Sequence, residues 1–148
     1  MYPPSRWLPD ATIFERSYPG AVTEVRNVRD DLAKLAADCP LSDDLILLAS
    51  ELATNAVLHS KSGHPGQHFT VRAALVPGEY ARVEVIDQGG AWTAAELDDE
   101  HGRGLAIVAA IAGDGNWGVT AGAGACLAWF QLVWPVGPPL PACLPACR

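Results

Sequence analysis

Glu51-Leu52-Ala53-Thr54-Asn55-Ala56-Val57-Leu58-His59-Ser60 is a helical stretch with two unlike sides. Leu45, Leu48, Leu52 and Ala56 recur at three- and four-residue steps, which makes one apolar face of a helix running to about Ser60. Ser42 is well placed as its N-cap, with Asp43 and Asp44 in the first turn where the helix dipole favours negative charge. Glu51, Asn55 and His59, each four residues from the next, form a polar stripe beside the apolar face. Spacing alone reads the stripe as an ordinary solvated face, and His59 as a helix residue bonding a neighbour rather than a catalyst.

On the N-terminal side of this helix, residues Ala11 to Tyr18 alternate as a short strand that Pro19-Gly20 ends. Val22, Val25, Val28, Leu32, Leu35 and Ala36 then mark one face of another helix over 21–37, terminated at Cys39-Pro40. On the C-terminal side, Lys61 to Gly66 is a loop. Phe69 to Leu75 and Val83 to Ile86 alternate on either side of Pro77-Gly78, an antiparallel hairpin. A loop from Gln88 to Arg103, with the acidic residues Glu96, Asp98, Asp99 and Glu100, leads to a short apolar helix over Gly104 to Ala112. Asn116 to Thr120 and Ala125 to Trp134 are two final strands, joined at Gly122 to Gly124. The predicted fold class is α+β: a two-layer sandwich whose mixed, mainly antiparallel sheet carries its helices on one face. Residues 1–10 are a lead-in and 11–134 the domain. The proline- and cysteine-containing tail, 135–148, is expected to be unstructured or extended.

Composition bounds the function. A chain of 148 residues, 49% hydrophobic and 18% charged, buries a real core without staples. A net charge of −7 leaves no basic surplus for a phosphate backbone or an anionic membrane, so direct nucleic-acid and membrane partners are not expected. No apolar run approaches the roughly 20 residues of a bilayer-crossing helix. Met1 to Trp7 lacks the basic start and apolar core of a secretory signal, and a cytoplasmic location is expected. The four cysteines are expected as free thiols, since Cys143 and Cys147 have no companion histidine pair. Among the five tryptophans, Trp92 is a candidate interface anchor, and Trp117 and Trp129 are assigned to the core.

Two glycine-rich junctions change the reading of the polar stripe. The strand ending at Ile86 continues into Asp87-Gln88-Gly89-Gly90, where glycine lets a ligand approach the backbone beside an acidic group. Gly102-Arg103-Gly104-Leu105 opens a helix, placing unpaired amides and a helix dipole where an anion sits. Separately each is ordinary turn chemistry. Together they suit the two ends of a nucleotide.

In this order, the three motifs resemble the boxes of the Bergerat, or GHKL, ATP-binding fold shared by Hsp90, gyrase B, MutL and histidine kinases. Glu51 to Ser60 looks most like the first box of the bacterial anti-sigma-factor serine kinases and their actinobacterial relatives, and the resemblance covers about Thr12 to Trp134. It implies that Asn55 completes Mg²⁺ coordination with the ATP phosphates, and that Glu51 is the general base. It further implies that Asp87 accepts from the adenine amine beside Gly89, that Gly102 and Gly104 belong to the phosphate lid, and that Arg103 neutralises phosphate charge. The implied activity is phosphoryl transfer from Mg-ATP to a Ser or Thr of a small antagonist protein. The implied partners are that antagonist, a sigma factor and a second copy in a homodimer.

The chain departs from the pattern twice. Ala91 stands where the adenine box often has its second glycine, and Cys126 follows the glycine turn where relatives place a Thr or Ser hydroxyl. These two residues favour a second reading, a nucleotide-sensing or protein-binding module that transfers no phosphoryl group; intact Glu51 and Asn55 favour the kinase. A shape-only domain without nucleotide is a third. The absence of G-x-x-x-x-G-K-[ST] excludes a P-loop ATPase.

Overall fold

The computed structural model describes residues 11–89, 103–122 and 124–135. In chain order these form β1 (Thr12–Pro19), α1 (Val25–Leu35), α2 (Ser42–His59), β2 (His68–Val76), β3 (Tyr80–Asp87), α3 (Arg103–Ala112), β4 (Trp117–Gly122) and β5 (Ala125–Val133). Short 3-10 turns at Val22–Glu24 and Lys61–Gly63 lead into α1 and out of α2. The lead-in before residue 11 and the tail after 135 lie outside the described residues, as do Gly90, Ala91, Trp92 and Gly102.

The five strands make one sheet in the order β1-β2-β3-β5-β4, the α+β arrangement expected, and among the described residues every pairing is antiparallel. Period-2 alternation does the sorting. Phe69, Val71, Ala73 and Leu75 of β2, Ala81, Val83 and Val85 of β3, and Ala128, Phe130 and Leu132 of β5 point to one face and are buried. The helices cover that face. Leu45, Leu48, Leu52 and Ala56 of α2 meet it, joined by Val28 and Leu32 of α1 and Leu105 and Val108 of α3. Each buried leucine or valine contributes about 1.5–3 kcal/mol over exposure, so a dozen such side chains account for the seating of α2 at the centre. That seating puts α2 in contact with α1, α3, β2, β3 and β5 at once.

Two expectations are corrected. Ser42 is not the N-cap. The tight turn after Cys39-Pro40 lets Ser42 N–H donate to the Cys39 carbonyl at 3.1 Å and Leu45 N–H to the Leu41 carbonyl at 2.9 Å, so Leu41 caps the helix without a side-chain bond. Asp43 and Asp44 do occupy the first turn. Trp129 does not enter the core: the β5 alternation turns it to the other face of the sheet, where the Arg82 guanidinium stacks 4.2 Å from its ring centroid. Trp117, by contrast, is partly buried against the core.

Edge strand β1 is fastened by side chains. Tyr18 stacks on Phe69 at 5.5 Å, and its hydroxyl donates to Asp31 of α1 at 2.6 Å. Burial, and then that carboxylate, push the phenol well above its ordinary range. No helix among the described residues is long and apolar enough to cross a membrane.

Candidate functional site

The stripe on α2 is not a solvated face. Asn55 is only 6% exposed, while Glu51, one turn earlier, and His59, one turn later, are half-buried. Burial follows from α3, whose first turn lies directly on the stripe. A Cβ built on Gly104 would come within 2.8 Å of Glu51 Oε2, 3.3 Å of Asn55 Nδ2 and 3.6 Å of Asn55 Oδ1. Only glycine permits this approach with both polar groups left in place. Gly104 is itself buried, and Arg103 is the first residue of α3; its side chain lies outside the described residues.

The Asn55 amide nitrogen is buried and finds no acceptor among the described residues. A carboxamide shut away with an unmatched polar atom costs about 1–3 kcal/mol, which marks a position kept for something other than packing. Which end of the amide faces the gap is an assignment from hydrogen bonding, so the same position serves a carbonyl oxygen as well. Carboxylate and carboxamide oxygens are the hard donors that Mg²⁺ takes, and Gly104 lets the start of α3 come close to both groups. The residues present therefore fit a phosphate-bound Mg²⁺.

At the other end of α2 lies Asp87, the last residue of β3, 3% exposed. Its Oδ1 accepts from Gly89 N–H at 2.7 Å, a local turn that fixes the carboxylate. Gly89 has φ +74°, and a Cβ there would sit 3.2 Å from Gly124 C and 3.3 Å from Ala125 N. This glycine is required twice over, by its left-handed backbone and by its contact with the turn before β5. Cys126 pairs with Asp87 across β3 and β5. Burial, and then the Asp87 charge, push its thiol up to about 11. Such a group stays protonated and is a weak donor, so it does not reproduce a hydroxyl. A buried carboxylate flanked by a side-chain-free residue suits a flat N–H donor, such as an exocyclic amine on an aromatic ring.

Sequence reasoning passed over a third part of the site. The turn after α2 is a junction rather than a plain loop. Ser60 Oγ donates to the Ala56 carbonyl at 2.5 Å and accepts from Ser62 N–H at 3.0 Å. Ser62, fully buried, accepts from Gln88 N–H through its Oγ at 2.9 Å, and Lys61 N–H donates to the Gly89 carbonyl at 2.7 Å. A Ser-x-Ser immediately past a helix end is the only local signal for this. Its partners lie 26 residues away for Ser62.

Of the residues singled out in the sequence, the structure brings Glu51, Asn55 and Gly104 together, and sets Asp87 and Gly89 beside Cys126 at the end of the sheet. The other free cysteine, Cys39, is buried in the core. Cys143 and Cys147 lie outside the described residues.

Comparison with known proteins agrees with this fold. The model of the histidine kinase-like ATPase domain matches residues 18–128, a span that holds both glycine junctions and all of α2. Among solved structures, the chain is similar to the RsbU and RsbW domains of Rv1364c from Mycobacterium tuberculosis. The TM-score is 0.62 and the identity 23%, over 82% of this chain and 32% of that one. The chain thus spans about a third of the length of that protein's crystallised chain. A comparison with curated proteins returns no match. Its fold, the order of its motifs and the family match over most of its length agree: this chain belongs to the histidine kinase-like ATPase domain family.

Proposed function

We propose that this chain is a cytoplasmic, Mg-ATP-dependent serine/threonine protein kinase of the anti-sigma-factor type. It phosphorylates a small antagonist protein and, as a homodimer, holds a sigma factor. The observation that carries this reading is the meeting of Glu51 and Asn55 at Gly104, where a buried amide nitrogen without a partner among the described residues lies against the opening turn of a helix. The likeness to a structure containing an RsbW domain supports the same reading.

Asn55, together with the ATP phosphates, would hold Mg²⁺, whose chemistry there is neutralisation of charge on the γ-phosphoryl group. Gly104 presents the start of α3 to the same group, where helix amides and the dipole favour an anion. Gly102 and Arg103 would complete the lid over the phosphates. Asp87 orients the adenine through its exocyclic amine, and Gly89 lets the ring lie on the backbone. Glu51 takes the proton from the substrate hydroxyl as that oxygen bonds to the γ-phosphorus. The bond to the β,γ-bridging oxygen breaks, and its electron pair leaves with ADP.

A second reading, a nucleotide-sensing regulator without transfer, is favoured by Cys126, whose raised thiol cannot replace a hydroxyl donor. Glu51→Ala separates the two. A kinase variant keeps nucleotide binding and loses transfer to the antagonist; a sensing module is functionally unchanged.

A further inference from the structure

The described strand ladder of β3 ends at Asp87, paired with Cys126, and Gln88 and Gly89 beyond it have no strand partner among the described residues. What holds it is the turn after α2. Ser62 Oγ accepts from Gln88 N–H at 2.9 Å, and Lys61 N–H donates to the Gly89 carbonyl at 2.7 Å, so one turn grips this segment at both ends. The grip is anchored in turn. Ser62 N–H donates to Ser60 Oγ, which donates to the Ala56 carbonyl of α2. Two glycines clear the space: a Cβ on Gly63 would lie 2.1 Å from the Val57 carbonyl oxygen, and one on Gly20 1.5 Å from that of Ser62. The turn is therefore wedged against backbone from β1 and α2, and bonded to backbone leaving β3.

We propose that Ser62 is a positioning residue for nucleobase recognition: through the Gln88 amide it fixes the Asp87–Gly89 segment relative to α2, and so sets the register between the base-reading carboxylate and the Glu51–Asn55 stripe. This rests on the nucleotide-binding reading above. The residue type follows from the surroundings. At 0% exposure, the Ser62 hydroxyl oxygen is the acceptor that the Gln88 N–H meets, and a side chain without such an oxygen would leave that amide unmatched. Ser62 touches no reacting atom; it acts through Asp87 and Gly89.

The test is calorimetric titration of the whole chain and of Ser62→Ala with Mg-ATP and with Mg-GTP. Thermal unfolding of both proteins and amide hydrogen exchange at Gln88 and Gly89 accompany it. Loss of one buried hydrogen bond predicts roughly five- to tenfold weaker ATP binding. It also predicts a smaller ATP-to-GTP affinity ratio, since a carboxylate no longer held in place discriminates less between an amine and a carbonyl. Exchange at Gln88 and Gly89 should quicken, while phosphoryl transfer at saturating ATP is kept and the loss appears in KM. Ser62→Thr, where it folds, retains the acceptor and should restore the ratio. If the parent binds ATP and Ser62→Ala is destabilised with an unchanged ATP-to-GTP ratio, Ser62 is merely structural and the inference falls alone. If the folded parent binds no nucleotide, the nucleotide-binding reading falls and takes the inference with it.

Discussion

Gly89, beside the buried Asp87, and Gly104, against Glu51 and Asn55, are glycine for different reasons. Around Gly89 the neighbours are backbone, Gly124 C and Ala125 N, and its φ of +74° is itself a conformation that a side chain resists. Around Gly104 the neighbours are the tips of side chains, Glu51 Oε2 and the Asn55 amide, and it lies in a helix. The Gly89 side, where the proposed function places the base, is thus built from backbone held by Ser62 and Lys61. The Gly104 side, where the proposed function places the phosphates, is built from polar side chains, and the Asn55 Nδ2 there has no partner among the described residues. One end is pre-formed, and the other has its polar atoms waiting.

The sharpest break of this contrast is Glu51→Gln, which removes the proposed base and leaves the shape. Phosphoryl transfer to the antagonist should fall about 10²- to 10⁴-fold with ATP affinity kept, as measured by steady-state transfer beside calorimetry. Gly89→Ala tests the backbone-built end. Left-handed strain and crowding against backbone that cannot yield should cost roughly 1–3 kcal/mol in the denaturation midpoint. Gly104→Ala should behave oppositely. The Glu51 tip can swing aside, so stability stays within about 0.5 kcal/mol, while displacement of the base and the amide lowers transfer roughly tenfold. Equal stability losses in the two alanine variants would erase the distinction.

The smallest effects fall on Cys126. Its thiol is raised from 9.0 to about 11, so the unfolded chain releases that proton first as pH rises. The stability from this group is fully present below pH 9.0 and lost towards about 11. Urea midpoints below and within this window should separate the parent from Cys126→Ser, which lacks the effect. The same variant supplies a hydroxyl beside Asp87 and should tighten ATP binding by about threefold. No change in either quantity would remove Cys126 from the account of the base end.

Much of this arrangement was legible in the residues. Alternation in β2, β3 and β5, and three- and four-residue steps in α1 and α2, are local signals that give element order directly, and the apolar face of α2 is the one that is buried. The meeting of α2 with the Gly102 motif was readable only as a family pattern, since no local rule says which helix face receives α3. The reading of Ser42 as a cap failed because a preceding tight turn, not a side chain, starts the ladder at Leu41. Trp129 was misassigned because aromatic size suggested core, whereas strand parity decides the face, and parity depends on a register that places Glu84 opposite it. The role of Ser62 is not legible locally because its side chain bonds Gln88, 26 residues further along the chain. Gly90, Ala91 and Gly102, named from the sequence, fall outside the described residues.

On the proposed function, α2 carries one end of a Mg-ATP site and reaches the other end through the Asp87 segment. Calorimetric titration of the folded chain with Mg-ATP, beside Asn55→Ala and Asp87→Ala, tests it most directly. The account predicts saturable binding by the parent that is lost in both variants while each still unfolds cooperatively. Absence of binding to the folded parent at millimolar nucleotide, or undiminished binding in both variants, would contradict it.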